Sequence, residues 1–248
     1  MPKILCTFSG RYGDVLWSLP TVKEISRQAG EPVDMLVMAN YRRLLPLLEA
    51  QSYIRKAWAS EEWQAIYSGS PCGDQPWQAP VPAGMYEAVH QLTYKFHPSL
   101  PLMVHTAQAA GISLPANPLP FLDVDIPACI TPYISYAFNP DGAEQKAGFI
   151  AKLKQEFPNI GFVNAGRYLW LVSAGVIKNS AMFIGCRSAN YVLAHGLAKK
   201  VLVYEPNPGR WPSTFGCPFG EELMYDPYDV PKFVEAVRQW MPISVEAV

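Results

Sequence analysis

The residues Gly10-Arg11-Tyr12-Gly13-Asp14 follow an apolar run, Ile4 to Phe8, and stand at the start of a helical pattern that Pro20 interrupts. Glycine at a strand-to-helix turn lets the backbone bend tightly and come close to a ligand. A carboxylate at that place has two uses. It can cap the helix, accepting backbone N–H groups at the positive end of the helix dipole, or it can act as a general base in a cleft. The two compete, because a carboxylate saturated with N–H donors has a lowered pKa and makes a weak base. Pro20 either starts the regular part of the helix, with Ser18 as a second cap candidate, or kinks it by removing one backbone bond. A dinucleotide fingerprint would need G-x-G-x-x-G and an acidic residue ending the second strand. Gly10-x-x-Gly13 and Met38-Ala39-Asn40 supply neither, so an NAD site is a poor reading.

Other residue types suit chemistry less directly. Asp123-Val124-Asp125 puts two carboxylates on alternate positions of an extended chain, the arrangement that can hold a divalent metal. It lies in a proline-rich stretch rather than at a strand end, which disfavours that use. Trp63, Trp77 and Trp211 could stack on sugar rings, although packing into the core is the commoner fate of any one tryptophan. Five cysteines, at 6, 72, 129, 186 and 217, are odd in number and lack paired spacing, so free thiols are expected and neither a disulfide framework nor a zinc site is indicated.

The elements that must position these groups are legible from periodicity. Apolar runs of strand length alternate with amphipathic stretches of helix length, the pattern of βαβ units on parallel sheets. Strands are expected over 3–8, 33–39, 54–57 and 86–92, with helices over 15–29, 41–51 and 101–110, the last ended by Gly111. The Pro/Gly/Ser-dense segment 68–84 reads as a long loop. Prolines at 115, 118, 120, 127 and 132 make 113–132 an extended connector. The alternation then restarts, with strands at 133–138, 160–165, 181–185 and 200–205. Helices are expected at 146–157, 168–180, 188–199 and 229–240, the last capped by Asp229.

The 248 residues are 50% hydrophobic and 17% charged, with a formal net charge of −1. That size fits one large domain or two smaller ones. A near-neutral balance argues against nucleic acid as a partner. No apolar run approaches the length of a membrane span, and the N-terminal run is too short for a signal peptide, so a cytoplasmic location is expected, with peripheral membrane contact left open.

The stretch "ILCTFSGRYGDVLWSLPTVKEI" resembles the opening of the heptosyltransferase-like glycosyltransferases of family 9, with a glycine turn, then G-D, then an apolar stretch ending in L-P. "AAGISLPANPLPFLDV" is similar to that family's connector and "FNPDGAEQK" to its inter-domain phosphate loop. "AMFIGCRSANYVLAHGLAKKVLVYEPNPGRW" is similar to its donor strand–turn–helix–strand and the loop that follows. The resemblance implies a GT-B fold, two Rossmann-like α/β domains with parallel sheets facing across a cleft. Residues 1–127 would form the acceptor domain and 128–248 the nucleotide-sugar donor domain, with the last helix free to pack back on the first. It also implies a metal-independent, inverting transfer from a nucleotide-diphosphate-sugar to a hydroxyl of a glycan or lipid-linked glycan, with no other cofactor. Asp14 falls on the family's proposed general base. Donor contacts would come from Lys146, Arg187, Ser188, Ala189, Glu205 and Asn207, and acceptor contacts from Ser9, Arg11, Tyr12, His90 and Gln91, with Lys95 nearby.

The chain departs from that pattern in the donor turn. The family's D-[ST]-G-x-x-H is matched by Arg187, Ser188, Ala189 and Val192, so only the hydroxyl survives. Arg187 could hold a diphosphate in bidentate fashion while Ser188 caps a helix whose N–H groups face the anion, or Arg187 could be a surface charge. His195, on the same helix face as the missing histidine, either replaces it or is a satisfied structural histidine. The family's acidic residue near the donor ribose lies in a segment that is deleted after Gly166, so the donor's identity does not carry over. A non-catalytic nucleotide- or glycan-binding protein is the alternative reading, and a nucleotide-sugar epimerase a third, for which no carboxylate beyond Asp14 can be nominated.

Overall fold

The apolar runs form strands because each is bounded by helix-incompatible turns and flanked by amphipathic stretches that can cover both faces of a sheet. The computed structural model describes residues 4–63, 79–81, 84–92, 100–127, 131–138, 143–204, 216–225 and 230–241. The expected loop 68–84 falls mostly outside them, as do Lys95, Trp77, Trp211, Glu205, Asn207 and Asp229.

The first sheet is formed by β1 (Ile4–Phe8), β2 (Val33–Met38), β3 (Ile54–Ser60) and β4 (Ala88–Leu92) in the order β3-β2-β1-β4, every pair parallel. The second contains β5 (Tyr133–Ala137), β6 (Gly161–Asn164), β7 (Met182–Gly185), β8 (Val201–Tyr204) and β9 (Glu222–Tyr225) in the order β6-β5-β7-β8-β9, again all parallel. In each sheet the strand order reverses once, between β1 and β4 and between β5 and β7. Ligands of open α/β sheets lie beyond the carboxyl ends of the strands at such reversals. Strand β9 has no counterpart in the sequence pattern. Its four residues alternate weakly, and only pairing with β8 defines it.

Helix α1 (Tyr12–Ala29) starts earlier than its apolar periodicity predicts, because Arg11 at the N-cap is extended and the turn closes at once. Pro20 sits inside this helix, and Ser18 is no cap: its hydroxyl donates to the Val15 carbonyl at 2.7 Å. Val15, Leu16, Leu19 and Val22 are fully buried along α1, each contributing about 1.5–3 kcal/mol. The helix expected over 41–51 divides into a 3₁₀ turn, Ala39–Leu44, and a short α2 (Leu45–Glu49), since Pro46 near its start has no amide to continue the first segment. The remaining helices are α3 (Leu102–Ala109), α4 (Ala143–Glu156), α5 (Trp170–Asn179), α6 (Ala189–Gly196) and α7 (Val230–Trp240). Beyond α3, residues 111–127 run without helix or strand, as the prolines require.

One apolar cluster is continuous across the two sheets. It joins Phe8 and the buried face of α1 to Phe121 and Leu122 of the connector and to Tyr191, Val192, Leu193 and Ala194 of α6. The amides of Phe121 and Leu122 both donate to the Gly196 carbonyl at the end of α6, each at 3.0 Å. A second cluster lies on the other side of the second sheet, where Phe149, Leu153, Phe233 and Val237 pack α4 against α7. Helix α7 therefore packs against the second sheet's own helix α4.

Candidate active site

Two parallel strands end at the same place. β1 runs through Ser9 and Gly10 into α1, and β7 runs through Cys186, Arg187 and Ser188 into α6, so the N-termini of both helices converge on one cavity of about 410 Å³. Arg11, Tyr12, Gly13, Asp14 and Trp17 line it from α1, and Arg187 through Val192 from α6, with Phe138, Gly166 and Trp170 completing the wall. Helix N-termini carry partial positive charge and unpaired N–H groups, which favours an anionic ligand here.

Gly10 is needed for sterics. A methyl group on it would stand 2.1 Å from Phe8 Cε1 and 2.6 Å from Asp14 Cβ, and the Phe8 ring is buried. Gly13 is different: a methyl there would meet Ala189 Cα and Val192 Cγ2 at 3.7 Å, ordinary contact distances. Gly10→Ala should therefore cost about 1–3 kcal/mol through overpacking and displace Asp14, whereas Gly13→Ala should stay within about 1 kcal/mol of the parent chain. Urea unfolding midpoints check both, and equal midpoints would refute the steric account.

Asp14 occupies the third position of α1, not the N-cap. Its Oδ2 accepts the Arg11 backbone N–H at 3.0 Å, so it still closes the helix start while its side chain, 9% exposed, faces the cavity. One carboxylate thus serves the cap from a position where it also borders the ligand space. Tyr12 packs edge-on against Tyr41 (5.0 Å between centroids), lies 4.9 Å from Trp170 and donates to the Asn40 carbonyl at 3.1 Å, building an aromatic side wall.

Arg187 lines the cavity from the start of α6. It is no surface charge, being 11% exposed, and its charge is already engaged: Nη2 donates to Glu222 Oε1 of β9 at 3.1 Å. Among the described residues its buried Nε has no hydrogen-bond partner, nor has Asn190 Oδ1 in the same wall. Glu222 also accepts the Tyr191 hydroxyl on Oε2, while His195 Nε2 stands 3.3 Å from that oxygen without hydrogen-bond geometry. Burial pushes the Glu222 carboxyl up, but the polar contacts from His195, Tyr191 and Arg187 outweigh it and hold the group below its ordinary range. It is therefore ionised at neutral pH.

His195 is wholly buried beneath the cavity, against Trp17 and Tyr191, and does not line it. Ser188 takes the N-cap position of α6 with extended dihedrals, but its side chain makes no capping bond. Ala189 lines the cavity. Lys146, in the first turns of α4, lies outside the lining, as does Ser9 in the turn after β1. His90 and Gln91 lie near the carboxyl end of β4 (Ala88–Leu92), paired with Cys6 and Thr7 of β1, and neither is among the residues lining this cavity. Burial lowers the His90 pKa. Trp63 is packed among Leu5, Leu36 and Met38, which excludes it as an exposed stacking platform. Asp123 accepts from Ser52 at 2.6 Å and faces Lys23 at 3.8 Å, and no three metal-ligating side chains gather anywhere among the described residues. Among the described residues Cys6, Cys186 and Cys217 form no disulfide.

The residues that sequence reasoning missed are Trp17, Phe138, Trp170, Asn190, Tyr191 and Glu222. Trp17 and Tyr191 carried a usable signal, lying three residues from Asp14 and four from His195 along their helices. Glu222 carried none.

No protein-family model matches the sequence, and no curated protein does. Solved structures do. E. coli heptosyltransferase WaaC with ADP superimposes with a TM-score of 0.61 at 12% identity, over 96% of this chain and 98% of that one. The family 9 glycosyltransferase of Veillonella parvula gives 0.60 at 10% identity, over 96% and 89%. The iron-containing dodecameric glycosyltransferase TibC of enterotoxigenic E. coli gives 0.60 at 13% identity, covering 90% of this chain and 62% of that protein's length. No described helix is long and apolar enough to cross a membrane. With its parallel sheets and its cavity at their strand-order reversals, this chain has the α/β fold of the heptosyltransferases and family 9 glycosyltransferases.

Proposed function

We propose that the protein transfers a sugar from a nucleotide-diphosphate-sugar to a hydroxyl of a glycan or lipid-linked glycan, with inversion and without a metal ion. The observation that carries this reading is the meeting of Asp14 with the N-terminus of α6 in one cavity. Asp14 takes the acceptor hydroxyl's proton as its oxygen forms a bond to the anomeric carbon. The carbon–oxygen bond to the diphosphate breaks on the opposite face, and the leaving group keeps that electron pair. The first-turn N–H groups of α6 and the Arg187 guanidinium stabilise the charge that develops there, a preorganised arrangement that needs no reorientation during reaction. Tyr12 and Trp170 offer aromatic faces to the sugar or base. The domain division at residue 127 and donor contacts from Lys146, Glu205 and Asn207 belong to the same proposal, as does a cytoplasmic site of action.

The test is calorimetric titration with ADP, UDP, GDP, CDP and dTDP and their common sugars. Binding of one nucleotide series supports the donor half and names the base for acceptor screens. No binding across the panel would overturn it. A second reading, a ligand-binding protein without chemistry, is favoured by the engagement of Arg187 with Glu222. It predicts nucleotide or glycan binding with neither transfer nor donor hydrolysis.

A further inference from the structure

The charge around the cavity is unusual for a diphosphate site. Among the described residues its wall carries two cations, Arg11 and Arg187, and one anion, Asp14. Behind the wall, Glu222 adds a second anion that is 14% exposed and ion-paired to Arg187 at 3.1 Å. Formal charge is therefore balanced, and attraction for an anion rests on the helix N-termini and on Arg187 Nε, an N–H donor without a partner among the described residues. Glu222 is also firmly held. Tyr191, which accepts the Cys217 backbone N–H at 3.1 Å, donates to Oε2, and Gly220 lies against the His195 ring, where a methyl group would come within 2.2 Å of Nδ1. A carboxylate clamped by β9 and α6 cannot swing away when an anion arrives, so its charge acts on whatever binds beside Arg187.

We propose that Glu222 is a specificity-determining residue whose fixed negative charge makes the cavity accept an esterified diphosphate, such as a nucleotide-sugar, while disfavouring a free nucleoside diphosphate. This rests on the nucleotide-sugar reading above. A diphosphate esterified at both ends carries two negative charges at neutral pH. A nucleoside diphosphate carries a third once its terminal phosphate, with a second pKa near 6, has ionised. One extra unit charge close to a fixed carboxylate in a partly desolvated site is worth about tenfold in affinity. The device admits the intact donor and eases departure of the spent one.

The experiment measures dissociation constants at pH 8 for ADP, UDP and GDP and for ADP-glucose, UDP-glucose and GDP-mannose, on the parent chain, Glu222→Gln and Glu222→Asp. The parent should bind the sugar ester at least as tightly as the free diphosphate. Glu222→Gln should tighten the free diphosphate about tenfold relative to its ester. Glu222→Asp, which keeps the charge but shortens the clamp, should keep the parent's ratio even with a lower melting temperature. A purely structural Glu222 would move both ligands alike in both variants. If the parent binds none of the probes, the nucleotide-sugar reading falls and this inference with it. If the parent binds but Glu222→Gln leaves the ratio unchanged, only the role of Glu222 is overturned. Should Glu222→Gln fail to fold, a parent chain that prefers the free diphosphate tenfold overturns the inference, and one that prefers the ester supports it.

Discussion

Asp14→Asn should leave the chain folded and able to bind its donor while lowering transfer by about 10²–10⁴-fold, the contribution typical of a positioned general base. The asparagine oxygen can still accept the Arg11 N–H that Asp14 Oδ2 accepts at 3.0 Å, so the start of α1 stays closed. Only the dipole interaction of the charge is lost, about 0.3–1 kcal/mol. What the amide cannot do is take a proton. The substitution therefore separates the two employments of this residue, because a carboxylate that only closed the helix would lose almost nothing on becoming an amide. Transfer rate and donor affinity, measured on the same preparation, decide the matter. A variant that turns over like the parent would show that Asp14 is a helix-closing residue and that the proton goes elsewhere.

Arg187→Ala should be the most damaging substitution in the donor half, acting on binding and on stability together. Nucleotide binding should weaken about 10–100-fold, the worth of a charge-assisted hydrogen bond to an anion. The same change leaves Glu222 buried without its cation, at a cost of about 3 kcal/mol, with Tyr191 still donating to the carboxylate. The stability effect has a pH signature. In the folded chain Glu222 titrates below the ordinary carboxylate range, so its stabilising contribution is complete above that range and is lost as pH falls through the lowered value. Without Arg187 the folded value rises and acid unfolding should begin at higher pH. Arg187→Lys keeps a charge but not the planar fork and should fall between the two chains. Unfolding by urea at pH 7 and pH 4 measures the stability part, and calorimetry the binding part. A variant with unchanged acid stability would show that the ion pair contributes nothing to the fold.

Much of the architecture follows from local chain chemistry. β1, β2, β5, β7 and β8 are apolar runs bounded by turn residues, and Gly111 and the prolines of 113–127 end or forbid helix wherever they stand. The glycine turn and Asp14 are equally local, since a strand-to-helix turn is a matter of neighbours. Segments whose state depends on distant partners could not be read this way. β9 exists through its pairing with β8, and the helix after β2 breaks at Pro46 even though the apolar spacing continues. β4 begins later than its sequence pattern because pairing with β1 defines its ends.

The candidate site divides along the same line. Sequence alone determined that Asp14 and the Arg187–Ser188–Ala189 turn stand at helix starts after strands, because strand, glycine and helix signals are short-range. It could not determine that the two starts share a cavity, which requires α1 to pack on α6 through Gly13 and Trp17. Nor could it determine what surrounds Arg187. Glu222 lies thirty-five residues downstream on a strand without a periodic signal, and only the parallel sheet brings its carboxylate to the guanidinium. The identity of a charged group is written in the chain. Its partner, and with it the charge that a ligand meets, is decided by tertiary packing, because electrostatic interaction depends on distance in space and on burial rather than on position along the chain.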